Sequence, residues 1–286
     1  MRIKMRQVLL VITIIVFSLK PALSAQSLPP ASLVPQEQHS WGKFQLGAWR
    51  SAEIVGQSFD EDGNVIATTI TKTTTTLNHV LQNGFELVVD TEVTVGKSKL
   101  EKPSQVVWQG LSGQSREETI TVEVGETKEL RIDGRIIPCE IRRILFSNGD
   151  QKKQTVASYS PIVKPFLLTQ DTSITDSQNE KLLFRTRAEV IALDLPHRVL
   201  DETLQVSLVK TVHHGSDGTV ITVEAHSDEV PGAVIAHWSK ELNDQGVLIQ
   251  TSTLEIIAYG SQSNNNRKKR KPTRRKDRGK ERNGEL

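Results

Sequence analysis

The sequence is short of cysteine, of long apolar runs and of helical periodicity, and each shortage excludes a class of protein. Cys139 is the only cysteine among 286 residues, so no disulfide can form within the chain, and its core and sheet ladders must hold the fold. No apolar run after Leu19 approaches the roughly 20 residues that a membrane-spanning helix needs. Beyond its N-terminal leader the chain is therefore expected to be soluble and to contain no three-turn helix.

Catalytic motifs are also missing. Residues Gly110-Leu111-Ser112-Gly113-Gln114 lack the spacing of the Gly-x-Ser-x-Gly nucleophile elbow. Gly96-Lys97-Ser98 ends like a phosphate-binding loop but lacks the first glycine of that motif. Cys139 alternates in phase with Ile137 and Ile141, which indicates a buried small side chain rather than a reactive thiol. The sequence therefore favours a protein that is not an enzyme, and it indicates no cofactor.

Charge is divided between two parts of the chain. Residues 26–266 carry 21 basic and 31 acidic side chains, a net charge of −10, whereas residues 267–286 carry 11 basic and 3 acidic ones, a net charge of +8. Residues 261–286 are predicted to be a disordered basic tail, because so polar a block cannot form a core. The expected partners of the tail are anionic envelope polymers or lipid head groups, with a purely solubilising tail as the alternative. The candidate polyanion-binding residues are Arg267, Lys268, Lys269, Arg270, Lys271, Arg274, Arg275 and Lys276.

The first 25 residues have the order of a secretory signal peptide. Three basic residues precede the apolar run Val8–Leu19, and small residues follow it, with cleavage expected near Ser24 or Ala25. The protein is therefore expected to be secreted or periplasmic, with an uncleaved membrane anchor as the alternative. Residues 26–45, which contain three prolines, are predicted to be a linker.

Residues 46–260 are predicted to be an all-β body. Apolar residues alternate with polar ones over Phe85–Val95 and Leu204–Val212, as in strands with one wet face, and the threonine-rich run Thr68–Thr76 favours strand over helix. Five Asx-Gly pairs predict tight hairpin turns between such runs. The expected fold consists of antiparallel tandem hairpin modules that form a curved sheet, a half-barrel or a sandwich. The pairs are Asp62-Gly63, Asn83-Gly84, Asp133-Gly134, Asn148-Gly149 and Asp217-Gly218.

The second half of the body is predicted to contain a repeat, over about residues 129–193 and 204–259. Ser160 and Ser227 each begin a Ser-x-x-Val spacing with a proline close by, and the matching strand patterns end at Leu193 and Tyr259. The offset is 67 residues at the start and 66 at the end, so one gap aligns the two copies. The alternative is that β-meanders share such patterns without any duplication.

Roughly residues 129–259 show a distinctive order of predicted elements. The order is a strand, a Gly-Lys/Arg step, a second strand, a Ser-x-x-Val-Pro-Gly loop, a hairpin and a glutamate-containing last strand. This order resembles that of uncharacterised exported bacterial proteins whose antiparallel half-barrels are similar to the LolA/LolB lipoprotein carriers. The resemblance implies a curved sheet whose concave face holds an apolar ligand such as an acyl chain. The residues that carry it are Asp133-Gly134-Arg135, Cys139, Ser160, Val163, Ser227-Asp228-Glu229-Val230-Pro231-Gly232 and Glu255.

Histidines near the end of the body offer one constructible metal site. His226 and Asp228 are two residues apart and would share a strand face, and His237 would join them from the next strand as a two-His, one-carboxylate set. Because histidines scattered on strands are usually solvated or satisfied in the core, the sequence predicts no metal site, and these three residues are its only candidates. The four tryptophans are expected in the core, with a ligand platform as the alternative.

Together these features favour an exported, non-catalytic binding or structural protein of the cell envelope. Its basic tail is expected to contact anionic polymers or the membrane surface, and its sheet concavity to hold an apolar ligand. One alternative is a metal-dependent or other hydrolase that uses the last β module. A second alternative is a polyanion or nucleic-acid binder that acts through its tail.

Overall fold

The computed structural model describes residues 32–148 and 151–261, which form a single antiparallel β-sheet. The predicted signal peptide, residues 26–31 of the predicted linker and residues 262–286 of the predicted tail lie outside this part of the chain. Within it, the only helical element is the 3-10 helix Gln36–Gln38. The prediction of an all-β antiparallel fold is confirmed. The strands are β1 (Trp49–Phe59), β2 (Val65–Leu81), β3 (Gly84–Val95), β4 (Ser98–Gly110), β5 (Thr119–Ile132), β6 (Arg135–Asn148), β7 (Gln151–Tyr159), β8 (Leu167–Asp176), β9 (Leu182–Val199), β10 (Glu202–Gly215), β11 (Gly218–His226), β12 (Val234–Asn243) and β13 (Leu248–Gly260).

The strands follow the order β4-β3-β2-β1-β13-β12-β11-β10-β9-β8-β7-β6-β5 across the sheet. β5 to β13 form one long meander, and β1 pairs antiparallel with β13, with Trp49 opposite Gly260. The two edge strands, β4 and β5, are consecutive in sequence, so residues 111–118 connect one edge of the sheet to the other. The fold is therefore one open sheet rather than a sandwich of two.

The sheet is curved strongly enough that distant strands meet. β5 and β9 are four positions apart in the sheet, yet the turn between β5 and β6 contacts the second half of β9. Leu193 N donates a hydrogen bond to Asp133 Oδ2 (2.7 Å), and Arg135 Nη1 lies 2.6 Å from Asp194 Oδ2. Twisted strands that coil in this way create a concave face, and that face carries the candidate site.

Four of the five Asx-Gly pairs lie where one described strand gives way to the next, as predicted; Gly149 of the fifth pair lies outside the described residues. Asp133 and Gly134 have φ angles of 49° and 72°, the left-handed values that a two-residue type I′ hairpin turn requires. At Asn83-Gly84 the register instead makes the glycine the first residue of β3. A Cβ added there would lie 2.4 Å from the carbonyl oxygen of Gln109, so close approach of the neighbouring strand explains that glycine.

Strands β6 to β9 correspond one by one to strands β10 to β13. β6, β7 and β8 begin 67 residues before β10, β11 and β12, and β9 begins 66 residues before β13. The β7–β8 and β11–β12 loops are closed by the same hydrogen bond, from Ser160 N to Phe166 O (2.8 Å) and from Ser227 N to Ala233 O (2.9 Å). The strand bounds thus agree with the spacing on which the repeat rests, while duplication as its origin stays a prediction.

The described part of the predicted linker packs on the sheet instead of extending away from it. Leu33 is 3% exposed, Val34 is 5% exposed and Trp41 is 2% exposed. Residues 32–45 therefore belong to the folded body, because large side chains with almost no exposure hold them there. Leu33 packs with Ile144, Phe146 and Ala157, and Trp41 packs with Leu77, Phe85, Leu87 and Leu111.

Candidate ligand-binding cavity

A segment of irregular chain covers the concave face of the sheet. Residues 33–43, here called the roof, cross from the β7 side of the sheet to the β11–β12 loop. Tyr159 OH donates a hydrogen bond to Gln38 Oε1 (2.7 Å), and Gly232 N donates one to Ser40 O (3.0 Å). The roof is thereby held to two separate parts of the sheet.

Between the roof and the sheet lies a cavity of about 820 Å³, within the range of about 300–1,000 Å³ that is typical of small-molecule sites. Strands β8, β9 and β10 contribute apolar side chains to the wall, among them Leu168, Ala188, Val206 and Val209, and polar ones that include Glu189 and Asp194. β11, the roof and the loops contribute mainly titratable side chains. These are Glu37, Lys43, Lys164, Glu224, His226, Asp228 and Glu229. The cavity thus offers both apolar and ionic groups to one ligand.

Two lysines meet one aspartate at the rim of the cavity. Lys43 Nζ lies 2.9 Å and Lys164 Nζ lies 2.5 Å from the same oxygen, Asp228 Oδ2. Lys43 belongs to the roof, Lys164 to the β7–β8 loop and Asp228 to the corresponding β11–β12 loop. Burial acts to raise the pKa of Asp228, but hydrogen bonds from the two lysines outweigh it and hold the pKa below its ordinary value. The ionised carboxylate therefore joins three segments of the chain.

A second ionic group lies on the inner faces of β11 and β12. Glu224 Oε2 is 2.8 Å from His226 Nε2. Burial acts to raise the pKa of Glu224, but the hydrogen bond from His226 and the positive charges of His226, His237 and Arg50 outweigh it and lower the pKa. Burial also lowers the pKa of His237, against the attraction of Glu224. Glu224 is thus an ionised acceptor in the cavity wall.

The three candidate metal ligands do not converge on one point. His226 contacts Glu224, Asp228 contacts the two lysines, and His237 Nε2 lies 3.2 Å from Ser252 Oγ. The reason is that β11 ends at His226, so Asp228 lies in a loop and does not continue the alternation of the strand. Within the two described ranges, no group of three or more His, Cys, Asp or Glu side chains is arranged to hold a metal ion.

The contact between His237 and Ser252 bears on the hydrolase alternative. A serine nucleophile needs an activating base and also hydrogen-bond donors for the oxyanion that develops on the substrate. Ser252 lies in the middle of β13, opposite Ser239 of β12 and Gly56 of β1. Because both neighbours are hydrogen-bonded strands, the backbone N–H groups around Ser252 are committed to the ladder. The contact therefore supplies a base without the donors that hydrolysis also needs.

Cys139 is buried, as predicted. Its side chain is 2% exposed, and its thiol donates a hydrogen bond to the carbonyl oxygen of Lys128 (3.1 Å). Burial raises the pKa of the Cys139 thiol, with only partial opposition from Ser158 and Lys128. The thiol is therefore protonated at neutral pH and acts as a small core side chain.

Sequence reasoning placed His226 and Asp228 near a site but missed Lys43, Lys164 and Glu224. Glu224 could have been found, because it lies two residues before His226 on the same strand and therefore on the same face. The two lysines carry no local signal, since they come from separate loops that meet only in the folded chain. The eight basic residues proposed for polyanion binding lie outside the described residues.

Acid is expected to destabilise the protein through His39, a residue of the roof. The His39 ring stacks on Phe85 with centroids 4.6 Å apart, and Trp41 N donates a hydrogen bond to His39 Nδ1 (3.3 Å). Burial lowers the pKa of His39 to about 4, against about 6.5 in the unfolded chain. The neutral ring is therefore favoured on folding, and stability is lost as the pH falls from 6.5 towards 4. At pH 4.5 the loss is expected to reach roughly 2–3 kcal/mol.

The measurement is the free energy of unfolding by urea between pH 7.5 and 4.5 for the wild type and for His39→Phe. Phenylalanine keeps a ring on Phe85 but does not titrate, so the difference between the two curves isolates this one histidine. The wild type should lose stability relative to the variant as the pH falls. Parallel curves would show that His39 stays neutral in both states or is solvated in the folded protein.

Solved structures that are similar to this chain include two bacterial proteins, with TM-scores below 0.5. One, from Bacteroides fragilis, is a protein proposed to be exported and has a YmcC-like fold. Its sequence is 10% identical to this one, the match covers 75% of this chain and 97% of that chain, and the TM-score is 0.29. The other, from Parabacteroides distasonis, is a protein proposed to be a lipoprotein. Its sequence is 13% identical to this one, the match covers 76% of this chain and 100% of that chain, and the TM-score is 0.26. The chain matches no protein-family model and no curated protein. No helix in residues 32–148 or 151–261 has the length and hydropathy to span a bilayer.

Proposed function

We propose that this protein is an exported, non-catalytic binding protein of the cell envelope and that the cavity under the roof is its ligand site. The observation that carries the proposal is the cavity of about 820 Å³, whose wall combines apolar side chains with ionised ones. This combination favours an amphipathic small molecule as the ligand. Its apolar part would lie against Leu168, Val206 and Val209.

The side chains that line the cavity favour a ligand with both an apolar and a polar part. Apolar surface removed from water contributes about 25 cal/mol per Å², so the β8–β10 wall favours an apolar group. A wholly apolar ligand would remove water from Glu224 and Asp228 without replacing its hydrogen bonds, and such desolvation is costly. A ligand with a polar end avoids that cost.

The predicted signal peptide supports export, and the basic residues 267–286 support a second contact of a different kind. Residues 267–286 carry a net charge of +8, so the tail would hold the protein near anionic envelope polymers or lipid head groups while the cavity binds its ligand. The two contacts are separable, because the tail residues lie in 267–286 and the residues that line the cavity lie in 33–233.

The test of the cavity is a titration with N-phenyl-1-naphthylamine, a neutral apolar probe that fluoresces when it leaves water. The wild type is expected to bind it saturably. Ala188→Trp places an indole in the cavity and should weaken binding at least tenfold. Ile191→Trp is the matched control, because Ile191 lies on the same strand but is 41% exposed and does not line the cavity.

The control should bind the probe within twofold of the wild type. Melting temperatures of all three proteins must agree, so that a loss of binding reports on the cavity and not on unfolding. If the wild type shows no saturable binding, or if both tryptophan variants bind the probe equally well, the cavity is not the ligand site.

A further inference from the structure

The rim of the cavity holds two cations against one anion. Lys43 Nζ and Lys164 Nζ both contact Asp228 Oδ2, at 2.9 Å and 2.5 Å. Each ammonium group has three N–H donors and uses one of them on this oxygen. The lysine side chains remain 41% and 59% exposed. One unit of positive charge and several donors are therefore left over at this point.

Elsewhere on the cavity wall, carboxylates have cations beside them. This matters because unpaired carboxylates would repel an anionic ligand from the whole cavity. Glu37 and Glu229 do line the rim, but both are exposed to solvent, where water screens their charge. The paired carboxylates are Asp194 with Arg135 (2.6 Å) and Glu189 with Arg187 (3.4 Å). Glu224 lies 2.8 Å from His226 Nε2 and is stabilised by the positive charge of Arg50.

We infer that the ligand carries an anionic head group, a carboxylate or a phosphate, and that Lys43 and Lys164 bind it together. The inference rests on the proposed function, since it names the polar end of the ligand that the cavity would hold. Because both Nζ atoms contact one oxygen, they lie close enough for a single carboxylate or phosphate to bridge them. Charge-assisted hydrogen bonds of this kind are among the strong ones in proteins.

The position of the two lysines relative to the apolar wall fits an anionic amphiphile. Ser207 Oγ donates a hydrogen bond to the carbonyl oxygen of Lys164 (2.7 Å), which holds the Lys164 backbone against β10 at the residue after Val206, and both Lys164 and Val206 line the cavity. A head group at the lysines can therefore continue directly into an apolar chain against Val206 and Leu168. Lys43 belongs to the roof, so the same head group would also link the roof to the β7–β8 loop.

The test uses four compounds that share a ten-carbon chain and differ in the head group. Decanoate, decyl phosphate, decylamine and decanol compete with N-phenyl-1-naphthylamine for the wild-type protein at low salt. Decanoate and decyl phosphate are expected to bind at least tenfold more tightly than decanol, and decylamine no more tightly than decanol. The advantage of the two anions should shrink as salt is added, because the lysines are partly exposed.

Substitutions test whether Lys43 and Lys164 cause the preference for anionic head groups. Lys43→Met and Lys164→Met should each weaken binding of the two anions by about three- to tenfold and leave decanol within twofold. Asp228→Asn, which removes the competing carboxylate, should strengthen binding of the anions. Lys152→Met is the matched control, since Lys152 is exposed on β7 and pairs with Glu180 (3.6 Å) away from the cavity; it should change nothing.

The outcomes separate this inference from the proposed function. If decanol and decylamine bind as tightly as the anions, the cavity binds apolar chains but the anionic head group is wrong. If the anion preference survives both lysine substitutions, the assigned residues are wrong. If neither the probe nor any of the four compounds binds, the proposed function itself falls.

Discussion

Replacing Trp41 with alanine is expected to lower the free energy of unfolding by about 3–5 kcal/mol, the usual cost of removing a buried tryptophan side chain. Trp41 is 2% exposed and packs between residues of β2, β3 and the β4–β5 connection. The measurement is urea unfolding followed by circular dichroism, and the loss corresponds to a fall in Tm on the order of 10 °C. The same variant should weaken binding of the apolar probe, because Trp41 anchors the roof over the cavity.

Trp238→Ala is the matched control for this prediction. It removes the same side chain from β12, where the tryptophan is 45% exposed and contacts His197, and should cost clearly less than Trp41→Ala because almost half of its surface is already in water. A Trp41→Ala loss as small as that of the control would mean that the roof detaches from the sheet locally, at little cost to the rest of the fold. The account of the roof as part of the folded body would then be wrong.

Deleting residues 267–286 is expected to lower affinity for a polyanion by at least 100-fold at low salt. The deleted block has a net charge of +8, whereas residues 26–266 have a net charge of −10, so the body alone repels a polyanion. Each phosphate neutralised on duplex DNA contributes about −0.9 to the slope of log affinity against log salt. Five contacts would therefore weaken binding by roughly 500-fold between 50 and 200 mM salt. Fluorescence anisotropy with a short duplex DNA as the test polyanion measures both effects.

The control for the deletion keeps the length of the tail and changes its charge. Replacing the eight candidate basic residues, from Arg267 to Lys276, with glutamine should reproduce the loss of binding. Neither variant should shift Tm appreciably if the tail acts outside the fold. Retained binding combined with a large fall in Tm would show instead that the tail docks on the acidic body, and the proposed contact with envelope polymers would be withdrawn.

Much of the fold could be predicted because its signals are local. The alternation over Phe85–Val95 and the threonine run Thr68–Thr76 appear as strands β3 and β2. Asx-Gly pairs such as Asp133-Gly134 turn the chain at the predicted places, since positive φ angles are a property of two adjacent residues and need no tertiary context. The pairing of β1 with β13 has no such signal, because two distant strands with similar alternation can be matched in many registers.

The candidate site was harder to predict for the same reason. The prediction that His226 and Asp228 share a strand face extended the alternation of β11 to Asp228. It was wrong because β11 ends at His226. The loop that follows takes a course that depends on its contacts with the roof. Leu33, Val34 and Trp41 anchor the roof, yet they follow neither a helical nor a strand period. The three prolines of residues 26–45 indicated a linker, and only packing against β3 and β6 shows why these apolar residues are there.

By itself, the sequence determined the all-β class, the hairpin turns, the buried state of Cys139 and the separation of an acidic body from a basic tail. These follow from residue chemistry over a few neighbours or from counting charges. Only the tertiary structure decided that the sheet is single and curved, that residues 33–43 cover its concave face, and that Lys43, Lys164 and Asp228 meet at one rim. Those features arise from contacts between segments far apart in the chain, whose free energies depend on the geometry of the whole sheet and leave no pattern in any one segment.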